Sequence, residues 1–447
     1  VNRSSWPFAS GIVLALAGAT CSAQVRVGGI VNATHAVQTT DASAQKSEVV
    51  IQPQLEWRSP FGLDLTVIGR IRTDWQNRLE PGEPDQTAVS PWSRRATLGP
   101  YSEAELREFY LEAYPFDTYL KVGKQQIVWG QTDGIKVLDR VNPQRYREFI
   151  LEDFDDSRIP LWAIKWEFSV NKNWDGQLIL LPDQTYHEIP EAGAAYAPTS
   201  PELVPTPPPG ITVTGYIIEK PDRVVADADA GLQLSTRKRG WDLTLNYLYH
   251  YADTPVIRMR DTENGGYLDG SYERTHTIGG SASNAIGDFA LRTEMAYTTD
   301  RYVAEVYPQS ANIERPLNTV SDGVIRGGEF TYALGVDWMG MRDTLVSLQL
   351  IQSGFDRKGA NTTRGSIETD ATLLFERNFF NDALTFRNLL IQDVDRGDGL
   401  LTTELAYDYL ANLELRIEAS MFYGSRHGRY GQFDNRDRLL IGFEYGF

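Results

Sequence analysis

The sequence predicts an all-β fold, a transmembrane antiparallel β-barrel of about 18 strands. Three observations predict it. Stretches of about ten residues alternate apolar and polar side chains, the connections between them alternate short and long, and the chain finishes on an aromatic residue inside such a stretch.

The alternation is the strongest of the three. In "LDLTVIGRIRTDW", Leu63, Leu65, Val67, Ile71 and Trp75 alternate with Asp64, Thr66, Arg70, Arg72 and Asp74. "WDLTLNYLYH" sets Trp241, Leu243, Leu245, Tyr247 and Tyr249 against Asp242, Thr244, Asn246 and His250. "LELRIEASMFY" sets Leu413, Leu415, Ile417, Ala419, Met421 and Tyr423 against Glu414, Arg416, Glu418 and Ser420. A soluble β-sandwich also alternates, but it turns its apolar face inward and its strands are usually shorter. Here one face is aliphatic and aromatic and the other carries charges of both signs, as lipid outside and water inside require.

The connections keep phase with that reading. Short ones read "SPF", "PFD", "NKN", "KRG", "NAIG", "GMR", "NFF" and "AN". Between them fall longer segments, including 77–104, 125–159, 183–223, 252–270 and 300–326. With the first strand starting in the periplasm, every short turn is periplasmic and every long loop external, the pattern of bacterial outer-membrane barrels. Eighteen is an even number, as single-chain bacterial barrels require; sixteen also fits the pattern. In the terminal "RLLIGFEYGF", Leu439, Ile441, Phe443, Tyr445 and Phe447 share one face, with Leu440, Gly442, Glu444 and Gly446 on the other. This strand is expected to close the cylinder against the first, since an unpaired edge cannot sit in lipid. Phe447 at its end resembles the signal by which the outer-membrane assembly machinery recognises its clients.

Composition narrows the class. Only 41% of the 447 residues are hydrophobic, and beyond the first two dozen no run is long enough for a membrane helix. Ten Trp, 22 Tyr and 18 Phe are too many for a disordered chain. A net charge of -17 disfavours nucleic acid, which attracts basic surfaces. "STRKRG" (235–240) is basic but falls at a periplasmic turn. The N-terminal "VNRSSWPFASGIVLALAGATCSAQ" reads as a signal peptide, residues 1–23, cut after Ala23; lipid attachment at Cys21 is the weaker alternative, because Gly18 stands where such signals carry Leu. Residues 24–447 then form the barrel, in contact with outer-membrane lipid and lipopolysaccharide.

Residues 121–168 break the rhythm. "YREFILEDF" has helix-like spacing, with Asn142-Pro143 placed to start a short helix. By the topology this is the third external loop, and its apolar residues, Trp129 and Phe149 among them, favour folding toward the lumen over a lid across the mouth. Candidate constriction residues in this segment are Lys121, Lys124, Trp129, Asp133, Asp139, Arg140, Arg145, Arg147, Asp153, Asp155 and Arg158. From the wall come Arg70, Arg72, Arg292 and Glu294. A charged ring at a constriction selects solutes by field and size; the plainer alternative is that these charges pair and anchor the loop. The loop 192–216, rich in Pro, Ala and Thr, reads as an extended external strap.

The series "VGKQQIVWGQTDG…LDRVNPQ…DSRIPLW" resembles the signature of a proteobacterial family of outer-membrane barrels, domain of unknown function number 1302, itself similar to porins of the alginate-export type. The resemblance implies an outer-membrane barrel and leaves the cargo unassigned. The acidic balance of this chain does not suit export of a polyanion such as alginate.

Nothing recommends catalysis. His35, His187, His250, His276 and His427 form no metal-ligand spacing, no His-Glu-x-x-His occurs, and no Gly-x-Ser-x-Gly elbow appears. Carboxylate acid-base chemistry is left open only because there are 60 Asp and Glu. No cofactor and no metal is expected. The expected function is a channel passing a solute across the outer membrane. Mixed wall charge favours small polar solutes; the apolar residues of the constriction favour a hydrophobic or lipid-like solute, handed over by a periplasmic or inner-membrane transport partner. A surface-binding scaffold, which needs only the external loops, is the alternative from another class.

Overall fold

The alternating stretches become strands in the computed structural model of the protein, which describes residues 23–132, 134–201, 203–204, 213–262, 265–306, 322–357 and 361–447. The leader and the cleavage reading rest on residues 1–22, outside the described residues. Eighteen strands build the barrel. They are β1 Gln24–Gln38, β2 Ala44–Arg58, β3 Leu63–Asp74, β4 Ser102–Ala113, β5 Tyr119–Gln125 and β6 Leu161–Asn171. There follow β7 Trp174–Leu181, β8 Asp229–Lys238, β9 Trp241–Tyr251, β10 Arg274–Ile286, β11 Phe289–Ala304 and β12 Val324–Trp338. The last six are β13 Thr344–Phe355, β14 Ile367–Phe379, β15 Leu384–Asp393, β16 Gly399–Leu410, β17 Leu413–Tyr423 and β18 Arg438–Gly446.

Each strand pairs antiparallel with its neighbour in sequence, and β18 pairs with β1 from Ile30↔Gly446 to Gln38↔Arg438. The ring is closed at eighteen strands rather than sixteen, so no row of backbone N–H and C=O groups is left facing hydrocarbon. No helix among the described residues is long and apolar enough to cross a membrane; the strands do so instead. Outside the ring, Val213–Glu219, Val256–Thr262 and Gly265–Ser271 form a separate three-stranded sheet among the long loops.

Parity along the strands sorts the side chains as predicted. Leu439, Ile441, Phe443, Tyr445 and Phe447 are exposed on the outer face, whereas Arg438 and Leu440 are buried inside. Phe447 exchanges backbone hydrogen bonds of 3.0 Å with Gly29, and its ring lies over that glycine, where a Cβ would come within 2.8 Å of the ring edge. One bulge breaks the parity usefully. Across from β3, Ile68 pairs with Glu108 and Gly69 with Leu106, leaving Arg107 as the extra residue. Leu106 and Phe109 therefore both face outward, and the consecutive Arg107 and Glu108 both reach the lumen.

The wall is uneven. β11 is 16 residues long, but β5 has 7 and β7 has 8, fewer than the roughly 9–11 that span a bilayer core. Beyond β5, the loop that follows bridges to β6 through the side chain of Asn142. If Ile417, at the middle of β17, faces acyl chains, Ile417→Arg should lower unfolding free energy in lipid vesicles by about 2–4 kcal/mol. Ser235→Arg on the inner face should change it little. Equal costs at the two positions would contradict the assignment of faces.

Candidate functional site

The third external loop, residues 126–160 (L3), enters the lumen and touches nearly every sector of the wall. It departs where the β5–β6 ladder ends at Gln125↔Leu161. There the buried side chain of Asn142 replaces the next rung: its Oδ1 accepts from Ile127 N at 2.7 Å and its Nδ2 donates to Ile159 O at 2.8 Å.

Three apolar arms then grip the wall. Ile127, Trp129 and Val141 pack on Leu161, Ala163, Ile179, Leu181 and Leu248 of β6, β7 and β9. Trp129 Nε1 donates to Gln177 Oε1 at 2.7 Å, and the indole fills the space above Gly231, where a Cβ would lie 2.5 Å from the ring. Val137 and Leu138 pack on Ala296, Ala333 and Ile351 of β11 to β13. Phe149, Ile150 and Leu151 pack on Ile391, Leu400 and Phe422 of β15 to β17, together with Phe433 of the last external loop. The rings of Phe149 and Phe433 are 4.9 Å apart.

Ion pairs hold the remaining sector, β18 and β2 to β4. Glu148 sits between Lys46 Nζ at 2.6 Å, Arg438 Nη1 at 2.5 Å and Arg147 Nη1 at 3.1 Å, with all four side chains no more than 9% exposed. Arg147 also pairs with Glu48 and reaches Glu80 at 3.2 Å. Arg145 pairs with Glu103 at 2.6 Å and Glu80 at 2.5 Å. Arg72 approaches Glu48, Glu103 and Glu152 at 3.5–3.6 Å. Burial alone would raise the Glu148 carboxyl, but Lys46, Arg438 and Arg147 together hold it well below the usual carboxylate range. Such a cluster adds little net stability against an apolar equivalent, yet it is costly to break, so it fixes where the loop must sit.

Other candidates divide between anchors and groups facing water. Arg158 pairs with Asp139 at 2.9 Å, which also forms an ion pair with Lys136 at 2.9 Å. Arg70 pairs with Asp156, and Arg107 donates to the carbonyls of Asp155 and Asp156. On the opposite wall, Arg292 donates to Gln131 O at 2.6 Å and Asp337 at 2.8 Å, while Glu294 accepts from the N–H groups of Gln131 and Leu138. Arg140 donates to Val137 O at 2.9 Å and Thr298 Oγ1 at 3.2 Å. Lys121 lies 3.4 Å over the ring of Tyr110, and Lys124 is buried in the field of Glu105. Asp133 lies outside the described residues. Facing water from L3 are Asp153, Asp155 and Asp156, with side chains 63%, 90% and 56% exposed.

One local expectation needs correction. The helix placed after Asn142-Pro143 is absent; residues 147–150 form a turn, and among the described residues of L3 the only helical turn is Phe154–Ser157. Phe149 has φ +57°, a reversal that sends Arg147 and Glu148 to the ion cluster and Phe149 to Leu151 toward the neighbouring β15–β17 wall. The strap 192–216 is tied to the barrel near its start, where Tyr196 is buried and donates to Gln45 at 3.1 Å; residues 202 and 205–212 lie outside the described residues.

Lys46, Glu48, Glu80, Glu103, Glu148 and Arg438 were not among the expected site residues. Strand parity already turns Arg438 inward, and Lys46 and Glu48 share one face of β2; only their convergence on Glu148 is invisible in sequence. His187 is buried with Nδ1 accepting from Gln144 N at 2.9 Å, and burial pushes it down to about 3, so it stays neutral. His427 touches Ser425 Oγ only through its backbone N–H. Among the described residues no three His, Cys, Asp or Glu side chains converge to hold a metal.

A closed eighteen-stranded barrel with a loop folded into its lumen is the fold of the outer-membrane porins, and it places the protein in an outer membrane. The chain belongs to the family DUF1302, proteins of unknown function, whose profile matches residues 54–447. Solved structures share its fold at low identity. OccAB2 of Acinetobacter baumannii is 12% identical, with 95% of this chain and 98% of that one covered and a TM-score of 0.52. OccAB1 of the same organism is 10% identical, with 95% and 96% covered and a TM-score of 0.51. OpdK of Pseudomonas aeruginosa, solved with vanillate, is 11% identical, with 95% and 98% covered and a TM-score of 0.50. No functionally curated protein matches the sequence.

Glu148→Gln leaves three cations buried around a neutral amide and should loosen L3 by about 3–5 kcal/mol. The measurement is trypsin cleavage after Arg145 and Arg147 in the folded, detergent-held barrel, which should appear in the variant and not in the native protein. Because the folded carboxyl titrates below its unfolded value of about 4.3, its contribution is complete above that pH and is lost only as pH falls through the lower folded value. Native L3 should therefore remain protected from about pH 8 down to about pH 4.5.

Proposed function

We propose that the protein is a porin-like channel for small polar solutes, with L3 setting the conductance of its lumen. The observation that carries this reading is the division of labour within L3. Most of its apolar residues, which on sequence favoured a lipid-like cargo, pack on the wall: Trp129, Val137 and Leu138 are no more than 5% exposed, and Phe149, Ile150 and Leu151 lie half-buried against β15 to β17. Asp153, Asp155 and Asp156 face the water below them. An oily route would need apolar side chains along it; a route lined by solvated charge suits polar solutes.

On the same reading, residues 1–23 serve as a leader cleaved after Ala23, the outer strand faces contact membrane lipid and lipopolysaccharide, and Phe447 engages the assembly machinery. Diffusion through the lumen needs no cofactor and no catalytic group.

The test is conductance across a planar bilayer. The native protein should give small, stable steps, and replacing residues 135–155 by a short Gly/Ser linker should enlarge them several-fold. Silence of both forms would end the channel reading and leave a barrel that acts through its external loops.

A further inference from the structure

Beneath L3, the lower lumen is not electrically balanced, and the imbalance is local. On several parts of the lower wall, charges are matched pair by pair: Lys165 lies 2.8 Å from Glu167, and Arg292 lies 2.8 Å from Asp337. The sector from β14 to β18 differs. Glu376, Glu404, Asp408, Glu414 and Glu444 occupy inward register positions there. Among the described residues, the inward cations on that lower wall are Arg387, 3.9 Å from Glu376, and Arg416. Arg416 alone serves Glu414 at 3.4 Å, Glu404 at 3.7 Å and Asp153 of L3 at 3.9 Å.

The ladder gives a second, independent sign. Asp408 stands directly opposite Glu414, Glu414 opposite Glu444, and Glu404 opposite Glu418. Like charges directly opposed across a sheet are destabilising, so the wall tolerates a cost here that neutral residues would remove. L3 adds Asp153 to the same field, whereas its other two exposed aspartates are matched, Asp155 by Arg158 and Asp156 by Arg70. A water-filled cleft with low-dielectric walls focuses such a field and raises the local concentration of the opposite charge.

We infer that the channel selects cationic solutes over anions, through the field of the β14–β18 wall and Asp153 of L3 rather than through one binding site. The inference rests on the channel reading and specifies the substrate class. An entering amine, guanidinium or metal cation would gain Coulomb energy along this side of the vestibule, while a carboxylate or phosphate would be repelled. Because the charges are solvated, the preference should weaken as the Debye length shrinks from about 10 Å at 0.1 M salt to about 3 Å at 1 M.

The experiment is the reversal potential in a KCl gradient, measured for the native barrel and for the form with residues 135–155 replaced. Both should prefer K⁺ to Cl⁻, more at low salt than at high. Combining Glu376→Gln, Glu404→Gln, Glu414→Gln and Glu444→Gln should reduce that preference several-fold or reverse it. Asp153→Asn, at a loop position whose side chain is 63% exposed and 3.9 Å from Arg416, should reduce it in the full-length protein even if the wall variant fails to insert. Conductance without ion preference, a preference for Cl⁻, or a reversal potential unchanged in a variant that conducts would overturn the inference while leaving the channel intact. Silence of both the native and the loop-replaced forms would instead remove the channel reading and this inference with it.

Discussion

Hydrocarbon offers no hydrogen-bond partner, and the rest of the structure follows from that. Every strand must pair on both sides, so the chain closes β18 onto β1 and leaves no edge. Closure separates two faces, and the period-two alternation of each strand assigns one to lipid and the other to water. Where β5 is too short to complete the wall, the demand for partners does not relax. It is met by the side chain of Asn142, which takes the place of a missing rung.

The lumen obeys a different rule. Water can solvate charge there, but L3 displaces much of that water, and each buried charge must then find a partner. Hence Glu148 gathers Lys46, Arg147 and Arg438, and Arg145 lies between Glu80 and Glu103. The loop's apolar residues meet apolar residues of the inner wall, with Gly231 leaving room for Trp129 and Gly279 for Leu138. What is left facing the aqueous path is acidic. The loop thus combines a buried anchor of matched charges with a solvated acidic surface, on which Asp153 shares Arg416 with Glu404 and Glu414.

Much of the fold was legible because its signals are local. Parity placed Leu439, Ile441, Phe443, Tyr445 and Phe447 outside and Arg70, Arg72, Arg292 and Glu294 inside, and the alternation of short and long connections narrowed the strand number to eighteen or sixteen. The inward turn of L3 was legible from its apolar content, since Trp129 and Phe149 would be costly in external water. The partners were not legible. Glu148 meets Arg438 across 290 residues of chain and Lys46 across 102, and no spacing rule reaches that far. The absent helix near Asn142 has the same origin: helical spacing in "YREFILEDF" is a local pattern, overridden because Glu148 and Phe149 are drawn to different walls. The bulge at Arg107 was hidden as well, since it depends on the register of two strands rather than on either one.

The position of Glu148 bears on the order in which the molecule is assembled. One of its cations comes from β2, near the beginning of the chain, and another from β18, at the end; these strands flank β1 on either side. The carboxylate therefore bridges the seam from within, and its full set of partners exists only once the last strand has been fitted to the first. Seating of the inner loop and sealing of the cylinder are thereby one event, and a barrel caught with its seam still open would hold this loop by fewer bonds than the finished one.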